Sequence, residues 1–95
     1  MIAPKDRPAV LHYVSAFARH AVRDMRFQIE APGRVISIRA WGETPGGYDA
    51  NGVVVNLPWT WLDEDLELAT GQLEQVVTCL GDHVPPHEII QRLQA

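Results

Sequence analysis

The sequence predicts a small single α+β domain. Its elements run helix, strand, strand, helix, helix, with an antiparallel hairpin packed by two amphipathic helices. Three observations carry this reading. Apolar residues recur at helical spacing towards both ends of the chain, a β-branched and alternating stretch lies between them, and glycine and proline gather at the joints. A chain of 95 residues has room for one core and not two. Hydrophobic residues are 46% of it, enough apolar surface to offset the entropy of ordering the body. One domain over residues 1–95 is expected, with 1–6 as a flexible lead.

The first helix is expected over 7–26. Asp6 can cap it, and Pro8 suits a first turn because its missing N–H has no helical partner there. Val10, Val14, Phe17, Ala21 and Met25 recur at steps of three and four. Phe27-Gln28-Ile29 reads either as an extra short strand or as the end of this helix. Ala31-Pro32-Gly33 then breaks the pattern, and Arg34 to Trp41 alternates as a strand. The glycine-rich segment from Gly42 to Gly52 reads as a loop, and Val53 to Leu57 as the partner strand, ended by Pro58.

Thr60 or Asp63 can cap the second helix. Its stripe is Leu62, Leu66, Ala69, Leu73, Val76, Val77 and Leu80. A break at Thr70-Gly71 is a possible feature of it, and Gly81 reads as the left-handed residue that closes it. Pro86 to Gln94 reads as a short last helix. The expected core is Val14, Phe17, Val22, Ile36, Ile38, Val54, Leu66, Leu73, Val77 and Leu80. Two strands leave unprotected edges and uncovered apolar area, so a homodimer or a stable heterocomplex is expected.

The formal net charge of −4 conceals a split. Residues 1–42 carry seven basic and three acidic groups; residues 43–95 carry nine acidic groups and one basic group, Arg92. Such asymmetry bears on partners and association, not on fold. His12, Arg19, Arg23 and Arg26 would line one face of the first helix, to meet phosphates or an acidic protein, or to serve as an ordinary solvated face. Asp63, Glu64, Asp65 and Glu67 form the densest cluster. Helix-dipole complementarity explains them without any function; the sharper reading is a patch that meets a basic surface.

Motifs that would mark an enzyme, a metal site or a nucleotide site are missing. Cys79, His83 and His87 are spaced like ligands, but glycine and proline interrupt them, the spacing fits no common zinc pattern, and a fourth ligand is wanting. Cys79 as a nucleophile would sit near a helix C-terminus, where the dipole disfavours a thiolate. As the lone cysteine it forms no intramolecular disulfide. The Gly42–Gly52 segment fits neither phosphate-loop pattern, although Tyr48 at its tip can touch a partner. Trp59 and Trp61 flank Thr60; one is expected in the core and the other as a partner-facing anchor.

The leading expectation is therefore a non-catalytic protein-binding module, a regulator or inhibitor of a larger protein that presents a basic surface. Short acidic proteins of this kind are often encoded by phages or mobile elements to block host defence systems. The candidate contact residues are Asp63, Glu64, Asp65, Glu67, Trp59, Trp61, Arg19, Arg23, Arg26 and Tyr48; no catalytic residue, metal or cofactor is assigned. The alternative is a nucleic-acid-binding accessory protein using the first helix. Against it stand the acidic second half and the want of an aromatic-basic strand face. The charged, proline-rich start is unlike a secretory signal and no long apolar run offers a membrane span, so a cytoplasmic protein is expected.

Overall fold

The computed structural model describes residues 2–42 and 52–94. It is an α+β domain: α1 (Arg7–Ala21), β1 (Met25–Glu30), β2 (Val35–Gly42), β3 (Val53–Pro58), α2 (Leu66–Gly81) and α3 (Pro86–Gln94). Short 3-10 turns lead into α1 at Pro4–Asp6 and follow β3 at Trp59–Trp61. The antiparallel sheet has the order β1-β2-β3, so β2 is central. The helices lie on one face, α1 over β1, α3 over β3, and α2 packed against both helices. No helix among the described residues is long and apolar enough to cross a membrane.

The third strand corrects the length of the first helix. Val22 is already extended, with φ −128° and ψ 92°, and its N–H closes the last turn on the Ala18 carbonyl at 3.1 Å. Met25 fits two periods at once: four residues beyond Ala21 on a helix, and in step with Phe27 and Ile29 on a strand. The strand wins because all six of its residues pair with β2, from Met25 opposite Gly42 to Glu30 opposite Ser37. Gly33-Arg34 makes the turn between them, and Gly33 has φ +70°, the left-handed conformation a tight turn demands.

Register decides the phase of β3. Three consecutive valines carry no alternation, so the expected burial of Val54 rested on β-propensity alone. Pairing puts Val55 opposite Ile38 and Leu57 opposite Ile36 on the buried face, and turns Val54 outward opposite Arg39. Of the expected core, Val14, Ile36, Ile38, Leu73, Val77 and Leu80 are buried. Phe17 and Val22 pack at its margin, half-buried. Leu66 is exposed. Ile2, in the segment expected to trail from the body, is buried.

Of the two glycines of α2, one settles an open reading and the other departs from expectation. The helix runs unbroken through Gly71. Gly81 lies inside it, and the left-handed residue is His83, with φ 61°. The Val84 N–H bonds to the Cys79 carbonyl at 3.0 Å and the His83 N–H to the Leu80 carbonyl at 3.1 Å, the two bonds of a Schellman closure. Gly81 serves close packing instead: a Cβ there would lie 2.8 Å from Val22 Cγ2. Since Val22 follows the end of α1, the C-terminal ends of α1 and α2 lie together. Val10 and Tyr13, near the start of α1, share a groove with Leu66 and Thr70, near the start of α2. The two helices are therefore parallel.

The premise for self-association also changes. The sheet has three strands, and Ile36, Ile38 and Ala40 on its inner face are fully buried beneath the helices.

Candidate functional site

Parallel packing puts the starts of α1 and α2 side by side, and with them the positive ends of two helix dipoles. The carboxylates gather there. Asp65, not Thr60 or Asp63, is the cap of α2: its side chain accepts the Glu67 N–H at 2.9 Å and the Leu68 N–H at 3.1 Å. Asp63 Oδ1 accepts the Asp65 N–H at 2.9 Å, while the Asp63 N–H donates to Gln72 Oε1 at 2.7 Å. Two of the four clustered carboxylates are thus engaged in starting a helix. Glu67 is exposed in the first turn and lines the grooves on both sides of α2.

Capping does not account for the apolar side chains around this cluster. The large hydrophobic residues exposed among the described residues are Tyr13, Trp61, Leu66 and Leu68. Leu66 and Leu68 belong to the first turn of α2, and Tyr13 lines the groove between the helices together with Leu66. Trp61 sits in the 3-10 turn four residues ahead of the cap. The tryptophan pair divides: Trp59 is 1% exposed and Trp61 37%. Trp59 is thereby removed from any partner surface. The Arg7 guanidinium lies 4.9 Å from its ring centroid, a cation–π contact that ties the start of α1 to the turn after β3.

Two grooves flank the exposed half of α2. The one shared with α1 has a volume of about 460 Å³, with Ala9 and Val10 among its apolar lining. Its charged residues are Asp6, Glu67 and Glu74. The one shared with α3 has a volume of about 420 Å³ and reaches Cys79 and Ile89. There Gln75 Nε2 approaches the Cys79 sulfur at 3.5 Å and Arg92 Nη1 at 3.6 Å. Arg92 also pairs with Glu88 at 3.7 Å. Cys79 is buried, whereas His83 and His87 are exposed, and the described residues hold no group of three or more side chains that could bind a metal.

The basic stripe is not one helix face. Arg19 lies in the last turn of α1, Arg23 in the turn beyond it, and Arg26 on β1. Alternation puts Arg26 on the outer face of the sheet, directly opposite Trp41, with Arg39 on that face opposite Gln28. Contrary to the expectation from the sequence, an aromatic-basic strand face is therefore present. Arg39 and Trp41, two apart on the expected strand, already share that face in the sequence; Arg26 joins them only because 25–30 is a strand and not the end of a helix. Tyr48 lies outside the described residues.

Tyr13, Leu66 and Leu68 were not among the expected contact residues. Leu68 carried a signal, being an apolar residue off the buried stripe of its helix. Leu66 carried none, because it lies on that stripe and is exposed only where no element among the described residues covers it. Comparison with protein-family models, with curated proteins and with solved structures finds no match to this chain.

Proposed function

We propose that the protein is a non-catalytic binding module that regulates or inhibits a larger protein, docking through the surface at the start of α2. One observation carries this reading: Tyr13, Leu66 and Leu68 are exposed around carboxylates that include Glu67 and Asp65. Apolar side chains rimmed by charge are the usual anatomy of a protein interface, where anchors supply affinity and charges steer encounter. The acidic rim favours a partner with a basic surface. Action in the cytoplasm, and an origin in a phage or mobile element that blocks a host system, belong to the same reading.

Affinity capture with the wild type and with a Leu66→Asp, Leu68→Asp double variant tests it. Both positions are exposed, so the variant is expected to keep its fold while losing the partner. A partner retained at undiminished affinity by that variant and by Tyr13→Ala would put the binding face elsewhere.

A second reading is favoured by the Arg26–Trp41 pair. A nucleic-acid strand could stack a base on Trp41 and place phosphates beside Arg26 and Arg39 on the outer sheet face. Retention on single-stranded DNA that weakens with salt and with Arg26→Ala would support it; no retention at low salt removes it.

A further inference from the structure

We infer, building on the binding role proposed above, that the groove between α1 and α2 receives a short basic amphipathic helix of the partner, lying antiparallel to both. Length comes first. The groove runs from Asp6, just before α1, along that helix to Tyr13, and along α2 from Leu66 to Glu74, which at 1.5 Å per residue is about 12 Å, or two helical turns. The shape suits a helix: two parallel helices make a trough in which a third can seat its side-chain ridge. The small or short side chains of Ala9 and Val10 line this groove together with the exposed Tyr13 and Leu66, so it has room for an apolar anchor beside those two.

Charge selects the chemistry of the occupant. All three charged residues lining this groove are acidic, whereas the groove against α3 is lined by both Glu67 and Arg92. Lysine or arginine beside the apolar anchors would meet Asp6, Glu67 and Glu74. Direction follows from the dipoles. The starts of α1 and α2 present two positive ends together, and a docked helix opposes them best with its carbonyl end at the same place.

The test uses the full chain and a peptide of about 14 residues, with leucine at helical spacing and lysine elsewhere. A counterpart keeps the leucines and replaces each lysine with glutamate. The lysine peptide is expected to shift the amide resonances of Val10, Tyr13 and Thr70 and to bind at least about tenfold more tightly than the glutamate peptide. Tyr13→Ala and Leu66→Ala should each weaken it about tenfold. A spin label at the peptide C-terminus should broaden Asp6 and Leu66 more than Tyr13 and Glu74.

Equal affinity for the two peptides, or shifts centred on Gln75 and Leu93 or on the sheet, would overturn the inference. So would a concentration-dependent dimer held through Tyr13 and Leu66, which would make a second copy the occupant. If the lysine peptide does not bind while Leu66→Asp, Leu68→Asp still abolishes partner capture, the inference fails and the binding role stands. If partner capture is also insensitive, both fail.

Discussion

The two halves of α2 share one apolar spacing and meet opposite surroundings. From Leu73 to Leu80 its stripe is buried against α1 and the core. From Leu66 to Thr70 only Ala69 is buried, while Leu66 and Leu68 are exposed. Its two glycines show the same contrast. Space around a Cβ at Gly71 is open, whereas at Gly81 it is filled by Val22. Periodicity alone therefore says which residues share a face, and a neighbouring element says whether that face is core or contact surface.

The comparison can be broken most sharply at Leu73. Leu73→Ala is expected to cost about 2–5 kcal/mol in denaturant unfolding, the range for a large-to-small change in a packed core. A loss as small as that of an exposed leucine would mean that the C-terminal half is not the anchored one.

Gly81→Ala comes next. Its new methyl must displace the Val22 side chain, an overpacking that costs about 1–3 kcal/mol. Pairing it with Val22→Ala makes room and should recover part of the loss; no recovery would show that the cost lies elsewhere.

Asp65→Ala removes the cap of two N–H groups and is expected to cost about 0.5–2 kcal/mol. Hydrogen exchange should quicken at Glu67 and Leu68 and stay slow at Val77 and Leu80. Uniform acceleration would mean that the two halves open as one unit.

Gly71→Ala has the smallest expected effect and the opposite sign. Nothing obstructs the added methyl, and alanine is favoured over glycine inside a helix by about 1 kcal/mol. A fall in thermal midpoint would show that the added methyl is not accommodated beside the groove against α3, which Gly71 lines.

Much of this architecture was legible from the residues. The stripe from Val10 to Ala18, the alternation of β2 and the helical spacing from Leu73 to Leu80 each name an element and its buried side, because hydrophobic period and backbone geometry coincide there. Asp65 is a residue type suited to capping, but two other candidates precede it in the chain. The choice depended on where the turn after β3 ended. The candidate site was legible in its charge and in Leu68, an apolar residue off the buried stripe of its helix. Tyr13 and Leu66 lie on helix positions that look no different from ordinary surface or from core.

By itself the sequence determined the buried faces of α1 from Val10 to Ala18 and of α2 from Leu73 to Leu80, the break at Ala31-Pro32-Gly33, the acidic character of the second half and the absence of a nucleotide-loop pattern. These follow from local rules of backbone, side-chain period and charge. Tertiary structure alone decided that Met25 to Glu30 is a strand, that Val55 and not Val54 is buried, and that Arg26 stands opposite Trp41. It also decided that α1 and α2 run parallel, which puts Tyr13 and Leu66, with Asp6 and Glu67, on one groove. The physical reason is common to all of these: each depends on which of two locally acceptable conformations finds a partner across the fold, and pairing and packing free energies between distant segments are not written in local periodicity.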